Sequence, residues 1–468
     1  MDRLPRPPEA FFEGTPTPVR AYIEQLHAYI EKLETRVAEL EAKLGTNSTN
    51  SSKPPSAEHP HAKSTRRQPS SPRLPGGQPG HPKHERALVP VEQCQAVLTC
   101  RPAACRRCGQ LLTGTDPEPI RHQVWEMPEI QPAITEYQLH RLVCRCGCST
   151  CGALPAGVPS GQAGPRLVAF SALLMACFRQ SKSRAAAFLG MVLGQPASAG
   201  WMVALQNRAA DAVQPAWDEL ARHLPSQPVL HVDESPTKEG KLKSWVWTFV
   251  ARAFTFFACR TTRAADVPKE LLGASFAGVI TCDRARMYWA FGRLQWCWAH
   301  LKRDFQALID SPCRTAQRLG HDLMRPTKEL FALWRKVRDG TLSRRAFRRQ
   351  MQPIRQRVES LLLRGYCNGR VHGFCTELWE HRERLWVFVE VEGVEPTNNP
   401  AERSLRHAVI WRKLSFGTQS ASGSRFVERM LTVIETCRQQ GRDVFAWLAD
   451  AIRSRFSGQP VPSLLLGA

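Results

Sequence analysis

Three acids stand where the sequence changes character. Asp233 closes the apolar run PVLHV, Asp283 closes FAGVITC, and Glu402 is read as the third residue of a helix begun by NNPAERSLRHAVIWRKLSFG. Carboxylates from three separate elements form the hard-oxygen donor set that suits a pair of Mg²⁺ (or Mn²⁺) ions ~3.5–4 Å apart across one phosphodiester. One ion would lower the pKa of an attacking water or hydroxyl. The other would take charge from the leaving 3′ oxygen. Each acid also has a plain structural reading. An Asp after a strand commonly makes a turn, and Glu402 fits a capping box with Asn399 as N-cap and Pro400 at the first helical position. What favours chemistry is the order of elements and the two strand-end aspartates together.

A second group of residues suits a metal of another kind. Eight of the 16 cysteines fall between Cys94 and Cys151: Cys94, Cys100, Cys105, Cys108, Cys144, Cys146, Cys148 and Cys151. CRRCG at 105–109 is a C-x-x-C knuckle, and CRCGCSTCG follows some forty residues later. Thiolates this close can share one structural Zn²⁺ at ~2.3 Å, with two pairs completing a tetrahedron. Cys105 and Cys108 make the first pair. Spacing alone favours Cys148 and Cys151 as the second, and Cys144 with Cys146 stays open. The other eight cysteines sit in apolar stretches such as LLMACF and FFACR, where a reduced thiol packs as a small hydrophobe. The opening MDRLPRPPEAFFEG has no secretory h-region, so metal binding is a better reading than disulfides. No apolar run reaches the ~18 residues of a membrane span.

Elements must hold these groups in place. Apolar residues at 23, 26, 30, 33, 37, 40 and 44 alternate intervals of three and four, the seam of a coiled coil. Residues 45–93 are rich in Ser, Pro and Gly and basic, as a linker would be. Helices follow at 165–212, broken by QPAS; they read as a helix–turn–helix or as a plain bundle. From 228 the order is strand, strand, strand, helix, strand, helix, strand. Between Asp283 and Glu402 the chain is mostly helical. Residues 301–370 alone hold 17 Lys and Arg against six Asp and Glu, half of the net charge of +22. One-signed charge on that scale points to DNA facing a helical insertion.

These motifs resemble the transposases of the IS66 insertion-sequence family. The resemblance covers nearly the whole chain: the coiled coil, NSSKPPS with GGQPGH, CRRCG, RHQVWEMP, SKSRAAAFL, FAGVITCD, CWAHLKRDF and, most specifically, EPTNNPAERSLRHAVIWRKLSFGTQSASGSRFVERMLTVIETCRQQGRDV. It implies a multidomain α/β protein with an RNase H-like mixed sheet, helices and a helical insertion. A coiled coil, a zinc-binding region and a helix-turn-helix-like region would precede that core. The divisions are 1–44 coiled coil, 45–93 linker, 94–160 zinc-binding, 161–225 helical, 226–300 first part of the core, 301–395 insertion, 396–455 last part of the core and 456–468 tail. Asp233, Asp283 and Glu402 become a DDE triad binding two Mg²⁺ (or Mn²⁺), and Cys105, Cys108, Cys144 and Cys146 the structural Zn²⁺ ligands, with Cys148 and Cys151 as the alternative second pair.

The implied activity is cleavage at the element's terminal inverted repeats and joining of the 3′-hydroxyls to target DNA. Arg403, Arg406, Arg412, Lys413, Lys302 and Arg303 would contact phosphate, Arg406 having an alternative ion pair with Glu402 at i,i+4. A homo-oligomer, accessory proteins of the same element, no membrane partner, and a bacterial cytoplasmic location at the nucleoid when on DNA complete the expectation. Cys297 and His300 match a C-x-x-H element of such enzymes without an assigned role. The chain departs from the family pattern at DESP, at Arg284, Arg286 and Met287 after the second acid, and in the compact Cys144–Cys146 step. A regulator that binds DNA without cutting it, or a nuclease that only hydrolyses, remains the competing expectation.

Overall fold

The sheet that carries the first two acids is built from the apolar runs between residues 229 and 296. A computed structural model gives the fold and describes residues 12–44, 47, 50, 51, 86–367, 369 and 371–465. Most of the linker expected at 45–93 lies outside the described residues. Contacts divide the chain into two units, Pro60–Ala133 and the remainder, Met1–His59 with Ile134–Ala468.

In the smaller unit, the main side-chain tie joins Val89 and Gln123. The Gln123 amide accepts from the Val89 N–H at 3.0 Å and donates to its carbonyl at 2.9 Å. The Cys105–Cys108 turn is closed by a bridge between Ala104 and Leu111.

The larger unit begins with α1 (Thr17–Leu44), a helix whose seam residues Leu26, Ile30, Leu33, Val37, Leu40 and Leu44 are exposed. A hairpin of β1 (Arg141–Val143) and β2 (Ser149–Cys151) holds Cys144, Cys146 and Cys148 in its turn and Cys151 at the end of β2. Four helices follow: α2 (Pro165–Ala176), α3 (Lys182–Leu193), α4 (Ala199–Ala212) and α5 (Gln214–His223). Ser181 and Ser198 cap α3 and α4 by accepting from the backbone three residues on. Helix α4 packs against α2 and α3 and against α13 (Ala421–Gln440) and α14 (Val444–Phe456) from the far end of the chain. The segment read as a helix–turn–helix is thus part of a helical bundle. The exposed positions of α4 (Ala199, Gly200, Val203, Ala204 and Asp211) bear no positive charge.

The five-stranded sheet comprises β3 (Val229–Glu239), β4 (Leu242–Val250), β5 (Thr255–Arg260), β6 (Val279–Cys282) and β7 (Leu294–Trp296), in the order β5-β4-β3-β6-β7. Strands β3, β4 and β5 are antiparallel; β6 and β7 run parallel to β3. The hairpin turn at Gly240–Lys241 has Gly240 at φ 58°, a conformation natural to glycine. The parallel strands are buried along their whole length, as expected of a sheet covered on both faces. Helix α6 (Asp266–Leu272) links β5 to β6. Phe249, Phe256 and Phe257 are fully buried, each worth about 2–3 kcal/mol of apolar burial.

One expectation changes here. Asp233 does not end its strand: β3 continues six residues further, because the β3–β4 ladder runs from His231 to Glu239. What ends near Asp233 is the parallel pairing with β6, whose last pair is His231 with Thr281.

After β7 come α7 (Trp298–Ile309), α8 (Arg314–Arg338), α9 (Arg344–Tyr366), α10 (His372–Glu380) and the single turn α11 (Val387–Glu390). Helices α7, α8, α9 and α10 pack in succession. Then α12 (Asn399–Ser415) returns to lie on β3 and β4. Among the cysteines taken as core residues, Cys282, Cys297, Cys375 and Cys437 are buried and Cys177, Cys259 and Cys313 half-buried. Cys367 is exposed just past α9.

The outer edge of β5 is closed by side chains of α13. Thr436 accepts from the Thr255 N–H at 3.1 Å, Thr432 from Phe257 at 2.9 Å, and Glu428 from Cys259 at 2.7 Å. Four residues of helix rise about 6 Å and two residues of strand about 6.7 Å, so the two repeats keep pace over this length. Thr432→Val keeps the shape but leaves the Phe257 N–H buried without an acceptor. Urea unfolding should show a loss of about 1–3 kcal/mol with an unchanged m-value. A loss under about 0.5 kcal/mol would mean that the bond contributes nothing net.

Candidate active site

Register alone brings the first two acids together. Val229, Leu230 and His231 pair with Val279, Ile280 and Thr281, and the same offset carried two residues further puts Asp233 beside Asp283, whose charge acts on it. Adjacent strands lie about 4.8 Å apart. Asp233 Oδ1 accepts from the Glu234 N–H at 2.9 Å, and Asp283 Oδ1 from the Ala285 N–H at 2.9 Å, which orients both carboxylates just past the end of the parallel pairing.

Glu402 arrives on α12, and the start of that helix corrects the capping box. The N-cap is Asn398, not Asn399, which makes Glu402 the fourth helical residue. The Asn398 side chain makes no cap; its Nδ2 donates to the Val232 carbonyl at 2.8 Å, next to Asp233. Its backbone N–H, which a capping-box glutamate would take, donates to Cys297 Sγ at 3.1 Å. Glu402 is therefore free to meet His300, with Oε1 3.0 Å from Nε2, while Arg303 lies 3.9 Å from Oε2. These contacts give Cys297 and His300 places in the site: one anchors the start of α12, the other holds the acid it carries.

The environments of the acids differ. Burial, followed by the charges of Glu234, Asp283 and Glu402, pushes the Asp233 carboxyl well above the usual range. Glu402 is held below its ordinary value, chiefly by the hydrogen bond from His300. The site thus gathers more negative charge than its own cations neutralise, which fits a divalent cation. A second grouping overlaps it: one ligand atom each from Cys297, His300 and Glu402 lie within 4.8 Å of one another, close enough for one ion. Burial pushes the Cys297 thiol up to about 11, and its sulfur already accepts a hydrogen bond, so the carboxylates are the better donors.

Sequence reasoning missed Glu234, Arg263 and Tyr288 beside these acids, and the partners of Arg284. Glu234 is almost fully buried and receives Arg263 Nε at 2.7 Å and the Tyr288 hydroxyl. Arg284 pairs with Asp304 and Glu377. The doubled acid at 233–234 and the charged turn after Asp283 were the available signals.

The residues expected to meet phosphate divide into two groups. Arg403, Arg406 and Lys413 are exposed on α12, and Lys302 is exposed on α7. An open groove of about 450 Å³ is lined by Lys302, Thr327, Lys328, Phe331 and Arg335. Arg412 is engaged elsewhere: it donates to Ser235 Oγ at 3.2 Å and to the Pro236 carbonyl, pinning α12 to β3. Arg303 faces Glu402. The ion-pair partners of Glu402 are His300 and Arg303, and Arg406 acts on it only through space.

Each cysteine knuckle has a glycine with positive φ, Gly109 at 75° and Gly147 at 87°. Backbone amides of Cys108 and Arg107 hold the Cys105 thiol below its ordinary value, and that of Cys146 does the same for Cys144. Amide donation to sulfur favours the thiolate that a metal requires.

Residues 160–425, more than half of the chain, match the family model described as "Transposase IS66 family". The chain belongs to the IS66 transposase family. The matched span includes all three acids, Cys297, His300 and the helical insertion, but not the cysteine knuckles or most of α13. Residues 13–87 match a separate model, "Family of unknown function (DUF6444)". Three curated proteins of Sinorhizobium fredii are similar to this IS66-family chain, each named only as an uncharacterized protein. The protein y4hP is 23% identical over 404 residues, covering 78% of this chain and 72% of its own length. The protein y4jD is 23% identical over 54% of this chain, and y4qI 24% identical over 49%. The chain spans about half the length of the latter two. No described helix is long and apolar enough to cross a membrane.

Proposed function

We propose that the protein is the transposase of an insertion sequence, an RNase H-like DDE enzyme. It cuts DNA at the element's terminal inverted repeats and joins the freed 3′-hydroxyls to target DNA. The observation that carries this reading is the register setting Asp233 beside Asp283, with Glu402 brought to them by α12. The strand order, an antiparallel trio followed by two parallel strands, is the one the RNase H-like fold uses and supports the same reading.

Asp233, Asp283 and Glu402 would hold a pair of Mg²⁺ or Mn²⁺ ions, which when bound would activate the attacking hydroxyl and take charge from the leaving 3′ oxygen. The chain's own residues do the positioning. Asn398 ties the start of α12 to the strand of the first acid. His300 keeps Glu402 turned inward and ionised. Lys302, Arg403, Arg406 and Lys413 supply positive charge on exposed faces of α7 and α12, where a phosphate backbone would lie.

The same reading assigns a metal-binding role to the thiolates of Cys105 and Cys108 and, in the other unit, to Cys144 with Cys146 or alternatively Cys148 with Cys151, and self-association to the exposed apolar seam of α1. The test is an assay on DNA carrying the inverted repeats that flank the coding sequence, with Mg²⁺ or Mn²⁺. Nicks bearing 3′-hydroxyls and strand-transfer products are expected. No nicking by the wild type, or equal nicking by Asp283→Asn, rejects the catalytic reading. Nicks without joined products favour a nuclease.

A further inference from the structure

Arg284 directly follows the second acid, and its guanidinium is divided between two helices. One nitrogen donates to Asp304 on α7 at 2.8 Å and another to Glu377 on α10 at 2.7 Å, with the Phe374 ring 5.5 Å below. Asp304 lies one helical turn beyond His300, so both project from one face of α7. His300 holds the third acid, and Asp304 holds the residue next to the second. A single turn of α7 therefore contacts both the residue after Asp283 and Glu402 itself. Glu377 extends the chain of contacts to α10, which is separated from α7 in sequence by the two long basic helices α8 and α9.

We propose that Arg284 is a positioning residue that locks the second acid to the third through α7 and makes their spacing depend on the seating of the helical insertion. The bidentate grip requires a planar fork, which a lysine lacks. Two half-buried carboxylates converging on one guanidinium are also left facing each other unpaired when the arginine is removed. The insertion carries much of the basic charge, so a polyanion seated on it would act on the acids through the Glu377–Arg284 link. This inference rests on the reading of Asp233, Asp283 and Glu402 as a divalent-cation site.

The test is Mn²⁺ binding to the full-length protein without DNA, read by the loss of the free-ion paramagnetic resonance signal, with the thermal melt recorded for each variant. Arg284→Gln should weaken Mn²⁺ binding about tenfold, and Arg284→Lys by an intermediate factor. Glu377→Gln, which retains a hydrogen-bond acceptor and lies far from the ion in sequence, should weaken it about threefold without lowering the melting temperature. Should Arg284→Gln fail to fold, Glu377→Gln carries the test alone. Mn²⁺ affinities within twofold of wild type for the folded variants, beside a clear loss in Asp233→Asn, overturn the positioning role and leave the acid site standing. A wild type that binds no Mn²⁺, or an Asp233→Asn that binds as tightly, overturns both.

Discussion

Asp233→Asn should reduce DNA cleavage and joining by roughly 10³-fold or more, about 4 kcal/mol of transition-state stabilisation, while leaving the metal-free protein as stable as its parent or more so. Two consequences of one substitution point in opposite directions because the same carboxylate is an asset with a cation and a liability without one. Burial and three neighbouring acids push the Asp233 carboxyl well above the usual range. A group whose folded pKa is raised binds more protons folded than unfolded, so it removes stability as pH climbs through that interval. Asn is neutral, nearly isosteric and still able to accept the Glu234 N–H. Melting curves in EDTA should therefore decline less steeply with rising pH in the variant. Added Mg²⁺ should raise the parent's melting temperature and not the variant's. A variant that cleaves normally, or that melts well below its parent in EDTA, would refute the assignment.

The second large effect concerns the basic face of α12. The triple variant Arg403→Ala, Arg406→Ala and Lys413→Ala should weaken DNA binding most at low salt. The slope of log affinity against log salt should become shallower by roughly 2–3, since each phosphate contact contributes about 0.9. Arg412→Ala should behave differently despite being next in line. Its guanidinium is already committed to Ser235 and Pro236, so its removal loosens α12 on β3. It should lower thermal stability and leave the salt slope unchanged. Fluorescence anisotropy over a salt series separates the two outcomes. An unchanged slope in the triple variant would place the phosphate track elsewhere.

What could be read from the sequence depended on how far apart the deciding partners lie. The end of β6 before Asp283 was legible because VITC is a local apolar signal that stops at a charge, whereas the end of β3 was not, because its ladder with β4 carries it past Asp233 to Glu239. The helix containing Glu402 was legible from NNPAERS. Its first residue was not, because the cap is decided by Cys297, 101 residues earlier, whose sulfur takes the Asn398 N–H. Arg412 looked like a free cation because nothing near it in sequence announces Ser235, 177 residues away. The α3–α4 pair has the spacing of a DNA reader, but bundle packing against α13 and α14 depends on helices more than 200 residues later. Arg284 stood out only as a departure from the family pattern, because its two carboxylate partners, Asp304 and Glu377, lie 20 and 93 residues away.

The closing of β5 by α13 has a consequence for how the chain is made. Thr255, Phe257 and Cys259 wait for partners 181, 175 and 169 residues downstream. A ribosome adding about 5–20 residues per second needs roughly 9–35 s to deliver them. Throughout that interval the nascent sheet offers a bare row of amide hydrogens to any strand nearby, including that of a neighbouring nascent copy. Synthesis that stops before residue 428 leaves this edge permanently open. Early termination before residue 428 should therefore yield aggregate rather than a shortened soluble protein.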